Sequence, residues 1–247
     1  MYHTVALTAN TFGQTNYDMI PVTDAWIGIQ NSHFFPQEPL RLYGGWMGGV
    51  NLTKVTLVTP RSRQVVPPVL YPIQGTVTPP DRPHVWDRRT NPFTINAIEE
   101  ISVQANIGGA ANAINTAIMF MGESLDPVPT GDIYALHGVS ATAAVANTWT
   151  QVTVSWDQTI PAGNYAVIGS QHQSTNAIAH RFYFRNKNLR PGMLSITALT
   201  NIGEPSYYFG GWGQLGQFNT TAYPFIEVYC NGADASHDIV MNMVKVS

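Results

Sequence analysis

Apolar and polar residues alternate along much of the chain, and the clearest case lies in residues 149–194. Short alternating runs are separated there by turn sequences rich in proline, glycine, serine and asparagine, at residues 161–163, 174–176 and 190–192. A period of two predicts strands with one buried face, and tight turns between such strands predict an antiparallel sheet.

Comparable strand patterns recur on both sides of this stretch. They lie at residues 24–30, 50–58, 93–98, 100–107, 114–121, 133–136, 139–145, 195–199, 207–209, 224–229 and 239–246. Outside short turns, no stretch repeats apolar residues with the 3.6-residue period of a capped helix. The sequence therefore predicts an all-β protein with one or two short helices at most.

Residues 123–130 are polar and contain prolines near the middle of the chain, which predicts a boundary between two domains, residues 1–125 and 126–247. The first 23 residues are predicted to form an arm or an edge strand. The proline-rich segment at residues 60–92 is predicted to be a long surface loop, because dense proline is excluded from central strands. Its five arginines suit either a solvated loop or a contact between subunits.

A short motif occurs once in each half of the chain. It reads aromatic-Gly-Gly-Trp, at residues 43–46 and again at residues 209–212. We interpret this echo as a sign that the two predicted domains are related.

Charged residues make up 11% of the chain, less than half of the share in ordinary globular domains, about 25%. We therefore expect much of the exterior to be covered by other copies of the chain. The net charge of −3 and the lack of a basic arm argue against direct nucleic-acid binding. Cys230 is the single cysteine, which excludes an internal disulfide and favours a packed apolar side chain.

Candidate chemistry is sparse. The seven histidines show no pair at the spacing of a metal site on a strand, and Glu99 and Glu100 would point to opposite faces of a strand. No nucleophile elbow and no phosphate-binding glycine loop occur. We expect no enzymatic activity, no cofactor and no metal. The six tryptophans could line a sugar-binding face, but they are more often anchors of a core or an interface.

Several phrases of the second half resemble one known family. They are IPAGNYAVIG, AIAHRFYF, LRPGML, GGWGQLGQFNTTAYPFIEVYCNGAD and the closing MNMVKV. Together they resemble the double jelly-roll major capsid proteins of tailless icosahedral bacteriophages that contain an internal membrane, above all the small lipid-containing phages of flavobacteria. The resemblance covers residues 149–246 best and weakens through the first 125 residues.

The resemblance implies two tandem eight-stranded jelly-roll β-barrels in each chain, and homotrimers that form pseudo-hexameric capsomers of an icosahedral virion. The implied partners are further copies of the chain, neighbouring capsomers, minor capsid or vertex proteins and an underlying viral membrane. Synthesis in the host cytoplasm would precede assembly into the virion. The residues expected to matter for structure and assembly are Trp46, Trp149, Trp156, Gly163, Arg181, Arg190, Pro191, Gly192 and Trp212.

Two alternatives stay open. A carbohydrate-binding β-sandwich would need export, and the first ten residues lack the basic and apolar segments of a signal peptide. A minor capsid protein would share the jelly-roll fold and differ in copy number.

Overall fold

Strands form the regular structure of the computed structural model. It describes residues 1–9, 13–24, 28–30, 32–48, 52–61, 69–70, 86–109, 115–185, 187–197 and 211–247. None of these residues lies in a helix, so no helix among them is long and apolar enough to cross a membrane. The predicted all-β class is confirmed.

The contacts within the chain separate two compact units. Val5–Met121 form the N-terminal unit, whereas Gly122–Ser247 together with Met1–Thr4 form the C-terminal unit.

Among the described residues, twelve strands lie wholly or mostly in the N-terminal unit; only the first three residues of the first strand and the last residue of the twelfth fall outside it. They are β1 (Tyr2–Ala9), β2 (Gln14–Asp18), β3 (Ile20–Pro21), β4 (Gly28–Gln30), β5 (His33–Phe35), β6 (Leu40–Gly48), β7 (Leu52–Val58), β8 (Val69–Leu70), β9 (Trp86–Asp87), β10 (Phe93–Ile95), β11 (Ser102–Ile107) and β12 (Asn115–Gly122).

The N-terminal unit has the strand order of a jelly roll. One sheet runs β10-β6-β12-β1-β3, with β9 also paired to β6, and the other runs β2-β11-β7-β8. With β1, β2, β6, β7, β8, β10, β11 and β12 taken in chain order as strands B to I, these are the sheets G-D-I-B and C-H-E-F. β4 and β5 form a separate two-stranded hairpin.

Ten strands lie in the part of the C-terminal unit that the structure describes. They are β13 (Ile133–Ser140), β14 (Trp149–Val152), β15 (Ser155–Trp156), β16 (Asn164–Ser174), β17 (Ala177–Tyr183), β18 (Gly192–Leu194), β19 (Ile196–Thr197), β20 (Gly216–Asn219), β21 (Phe225–Cys230) and β22 (His237–Lys245).

The same strand order recurs in this unit. Its sheets run β15-β13-β22-β16-β19, with β20 also paired to β16, and β14-β21-β17-β18. Strands B to I are here β13, β14, β16, β17, β18, β20, β21 and β22, which again gives B-I-D-G and C-H-E-F. Two tandem eight-stranded jelly rolls, as predicted, are therefore confirmed.

The strands of residues 149–194 do not form one meander, although the alternation alone suggested a continuous sheet. β14, β17 and β18 belong to the four-stranded sheet, whereas β15 and β16 belong to the other. The turn after Ser174 therefore carries the chain from one sheet to the other. The period of two identifies each strand but does not choose its partner.

The first residues are not a free arm. β1 lies between β12 and β3, and its residues are almost entirely buried. The sequence pattern does not indicate a buried strand here, because two of its buried residues, His3 and Thr4, are polar.

Most of the proline-rich segment lies outside the described residues. The parts that are described include β8 and β9, which pair with β7 and β6 respectively. Both strands have two residues, which fits the confinement of proline-rich sequence to sheet margins.

The echoed aromatic-Gly-Gly-Trp motif does not mark equivalent positions. Trp46 lies within β6, whereas Trp212 precedes β20, and residues 209 and 210 lie outside the described part. The strand predicted at residues 207–209 lies outside it as well. The duplication is visible in the strand order and not in this motif.

Candidate functional site

Five of the nine residues singled out from the sequence come together on one face of the four-stranded sheet in the C-terminal unit. Arg181 projects from β17 on the face opposite to His180 and Phe182, because neighbouring side chains of a strand alternate. Trp149 lies on β14 of the same sheet, and residues 190–192 lead into β18, which pairs with β17.

A buried carboxylate joins the two arginines of this face. Arg181 Nε donates to Glu227 Oε2 at 2.5 Å, and Arg190 Nη1 donates to Glu227 Oε1 at 2.5 Å. The side chain of Arg181 is 1% exposed and that of Glu227 is 11% exposed. A charge removed from water to this extent needs a partner, which explains an arginine within an apolar strand.

The segment Met1–Thr4 supplies the remaining partners. Arg181 Nη1 donates to the carbonyl oxygen of Thr4 at 3.1 Å, and the amide of Arg190 donates to His3 Nδ1 at 3.0 Å. The amide of Thr4 donates to the carbonyl of Arg190 at 3.0 Å, and the Tyr2 hydroxyl donates to the carbonyl of Gly192 at 2.7 Å. The buried guanidinium of Arg181 therefore has both a carboxylate and a carbonyl as acceptors.

An aromatic ring lies against each of the two guanidinium groups. The Arg181 guanidinium carbon lies 4.0 Å from the centroid of the Trp149 ring, and that of Arg190 lies 4.8 Å from the Tyr183 ring. Trp149 also packs against Tyr229 at 5.5 Å. Cation–π contacts of this kind strengthen as the cation loses water, so the rings reinforce the ion pairs. We call Arg181, Glu227, Arg190, Trp149 and Tyr183 the arginine cluster.

The corner at residues 190–192 is fixed by a close backbone approach. The amide of Phe182 donates to the carbonyl of Pro191 at 2.8 Å. A Cβ on Gly192 would lie 2.1 Å from the carbonyl oxygen of His180 and 2.5 Å from Arg181 Cβ. Only glycine fits against β17 here.

The other candidates of the C-terminal unit lie apart from the arginine cluster. Trp212 is 1% exposed and packs at 5.6 Å against Tyr2. Gly163 has a φ of +153°, and a Cβ there would lie 2.5 Å from the carbonyl oxygen of Ser247. Both the positive φ and the close approach favour glycine at this position.

Trp156 and Trp46 occupy further separate positions. Trp156 stacks on Tyr223 at 6.0 Å and lies over Gly138, where a Cβ would come within 2.7 Å of the indole. Trp46 is buried on β6 of the N-terminal unit. The nine candidates therefore do not make one site.

Sequence reasoning missed several residues that the fold brings together. The sequence pattern places Glu227 only in an alternating strand, and it places Tyr2 to Thr4 in an arm or an edge strand. A second set, three histidines and two serines inside the C-terminal barrel, was missed because its members have no common spacing: Ser170, His172, His180, Ser195 and His237.

The arrangement suits holding strands together. Cys230 is fully buried, and burial raises the pKa of its thiol to about 12, so the sulfur stays protonated and a poor nucleophile. Among the described residues, no group of three or more His, Cys, Asp or Glu side chains is placed to hold a metal ion.

No protein-family model matches this chain, and no curated protein matches it. Two solved structures are similar over its full length. One is the STIV MCP, at 8% identity and a TM-score of 0.26, with 97% of that chain covered. The other is the major capsid protein P2 from bacteriophage PM2, at 10% identity and a TM-score of 0.23, with 98% of that chain covered. The fold assignment rests on the strand order described above.

Replacing Gly192 by alanine is expected to destabilise the protein. The added methyl group meets backbone atoms that cannot rotate away, which costs about 1–3 kcal/mol in comparable overpacked sites. Urea unfolding followed by tryptophan fluorescence measures the loss. Gly232→Ala is the control, because the atoms nearest to its Cβ would be those of the Asn176 side chain, at 3.0 Å or more. Equal stability of Gly192→Ala and the parent would contradict the close approach.

Replacing Glu227 by glutamine should be more damaging than breaking a surface ion pair. The change leaves the buried Arg181 without a counter-charge, and such losses amount to about 3–5 kcal/mol. Arg89→Met is the control, since it breaks the partly exposed pair with Asp87, and the loss of such a pair changes stability by about 0–1 kcal/mol. Equal effects of the two substitutions in urea unfolding would show that the arginine cluster is not an important buried contact.

Proposed function

We propose that this chain is a structural subunit of a virion, the major capsid protein, which assembles as homotrimers into pseudo-hexameric capsomers of an icosahedral shell. The observation that carries this proposal is the repetition of one complete jelly roll, with the same order in both sheets, in each half of one chain. A trimer of such chains would contain six similar barrels, the number needed to fill a hexagonal tile from three identical molecules.

The surface supports the same role. β13 presents Ile133 and Val139 on one face, exposed by 58% and 44%. With only 11% charged residues, the chain has few charged side chains to make this exposed face of β13 soluble. Contact with neighbouring copies would cover it, and obligate contacts commonly bury about 2,000 Å² or more.

The proposed partners follow from this role. They are other copies within the trimer, neighbouring capsomers, minor capsid or vertex proteins, and a viral membrane beneath the shell. The chain would be made in the host cytoplasm and end in the virion. We propose a purely structural role, without catalysis and without direct nucleic-acid binding, since the net charge of −3 offers little attraction for phosphate.

The carbohydrate-binding alternative receives less support from the tryptophans. A sugar platform needs exposed flat rings, whereas the tryptophans among the described side chains are buried or half-buried: Trp46, Trp86, Trp149, Trp156 and Trp212. The minor capsid alternative makes the same structural demands and is distinguished by copy number in purified particles.

The assembly state tests the proposal directly. Light scattering coupled to size-exclusion chromatography is expected to give three times the subunit mass, and electron microscopy should show hexagonal tiles. A monomer retained by a sugar matrix would contradict the proposal.

Substitution of Val139 tests whether the exposed face of β13 forms a contact between copies. Val139→Lys should reduce assembly without unfolding the subunit, because a charge would have to be buried between copies. Val139→Thr is the matched control of similar size and should assemble. Normal assembly of both variants would show that the face of β13 around Val139 is not an interface between copies.

A further inference from the structure

A chain of hydrogen bonds crosses the interior of the C-terminal barrel between its two sheets. Its members are Ser170 and His172 on β16, His180 on β17, Ser195 after β18 and His237 at the start of β22. All three histidines are 0% exposed, and the serines are 3% and 7% exposed. We call these five residues the histidine chain.

The contacts are short and continuous. His237 Nε2 lies 3.1 Å from the carbonyl oxygen of Thr142, and His237 Nδ1 lies 3.1 Å from His172 Nε2. Ser195 Oγ lies 2.8 Å from His172 Nδ1 and 3.1 Å from His180 Nδ1. Ser170 Oγ lies 2.6 Å from His180 Nε2.

The carbonyl at one end fixes the direction of each bond. A carbonyl only accepts, so His237 Nε2 carries a proton, and in a neutral ring Nδ1 then accepts from His172 Nε2. His172 Nδ1 accepts from the Ser195 hydroxyl, whose oxygen accepts in turn from His180 Nδ1. His180 Nε2 accepts from the Ser170 hydroxyl. Every ring nitrogen is therefore satisfied when all three histidines are neutral.

An added proton disrupts this order. A proton on His237 Nδ1 would face the N–H of His172, so each ring and hydroxyl as far as Ser170 would have to reverse. The Ser170 hydroxyl would then need a new acceptor. A proton added instead to His180 Nε2 or His172 Nδ1 would turn the hydroxyl of Ser170 or Ser195 away, and that hydroxyl would need a new acceptor. In each case a positive charge would be buried in the barrel.

The surrounding charges offer little compensation. Of the three histidines in the histidine chain, only His237 feels Asp234 and Asp238. Burial lowers the pKa of His237 and the two carboxylates oppose this effect, but the net result is still a lowered pKa. Asp234 is itself held by the Ser174 hydroxyl and by the Asn176 amide at 2.8 Å. Arg181 follows His180 in sequence but points to the opposite face, and the Cys230 thiol is uncharged.

We propose that the histidine chain is an acid-sensitive lock, which holds the two sheets of the C-terminal barrel together at neutral pH and loosens the barrel when the surroundings fall below about pH 6, the titration range of free histidine. The proposal concerns the folded subunit and does not depend on the capsid role.

The direction of the pH dependence follows from a comparison of the histidine pKa values in the folded and unfolded states. Burial lowers the pKa of His180 to about 3 and that of His172 well below its ordinary value. Between the unfolded pKa near 6.5 and these lower values, the unfolded chain binds more protons than the folded one. Stability is therefore full above about pH 7 and falls as pH decreases, by about tenfold in the unfolding constant per pH unit for each histidine.

Urea unfolding of the full-length protein at a series of pH values tests this. Between pH 5 and 6, the parent should take up nearly two more protons on unfolding than the His172→Gln, His180→Gln double variant, because glutamine does not titrate. The slope against pH is the readout, so a lower stability of the variant does not affect the conclusion. Equal slopes would overturn the proposal.

His137 provides a control of opposite sign. The hydrogen bond with Asp157 raises the pKa of His137, and Asp238 lies 3.5 Å away. This histidine stabilises the folded state at low pH and loses that effect as pH rises, so His137→Gln should make the protein more acid-sensitive.

A measurement on the unaltered protein gives independent evidence. Nitrogen-15 spectra of labelled histidine rings should show His137 titrating at a raised midpoint. The rings of His172 and His180 should remain neutral until the barrel opens. Titration of either buried ring near pH 6.5 in the folded protein would overturn the proposal, whether or not the protein forms shells.

Discussion

Closure of two sheets over one interior is the constraint on which each half of this protein depends. β16 and β17 follow each other in the chain but lie in different sheets, so the side chains that they turn inward face each other across the barrel. In the N-terminal unit the core cluster consists of aliphatic side chains and methionines, such as Leu57, Val103 and Met119. In the C-terminal unit, part of that space is filled by imidazoles, whose polar atoms must find partners within the barrel.

Buried polar groups on the outward face of the four-stranded sheet in the C-terminal unit also need partners. β17 is buried at six of its seven positions, so both of its faces are covered and its sequence reads as a nearly continuous apolar run. Arg181 breaks that run, and its charge is compensated by Glu227 and the rings around it. Positions that would carry charge in a solvent-exposed sheet carry alanine or aromatic residues here, which contributes to the low charge content of the chain.

Local features of the sequence were sufficient to predict most strands and the all-β class, because alternation and turn residues act over short distances. Partner choice was not accessible in this way. The run from Trp149 to Trp156 splits into β14 and β15 in different sheets, and no local pattern marks the division. The need of Arg181 for a carboxylate or carbonyl could be predicted from its apolar setting, but Glu227 lies 46 residues away and is chosen by strand order. The histidine chain is harder still, since its members come from β16, β17 and β22 and share no spacing.

Asp234 lies close to His237 of the histidine chain, and it favours its charged form, whereas the buried histidines favour their neutral form. Burial alone would raise the pKa of Asp234, but hydrogen bonds from Ser174 and Asn176 lower it. Asp234 therefore favours the charged form, whereas His172 and His180 favour the neutral form. The two kinds of group lose their stabilising effect in different pH ranges. The histidines lower the stability first, as pH falls through the ordinary histidine range. In that range the unfolded chain binds protons, whereas the buried imidazoles of the folded barrel stay neutral. Asp234 acts only below the ordinary carboxylate range, where protonation removes the acceptor that fixes the turn between β16 and β17. Acid sensitivity above about pH 5 thus belongs to the imidazoles, and the carboxylate that orders the adjoining turn keeps its charge throughout that range.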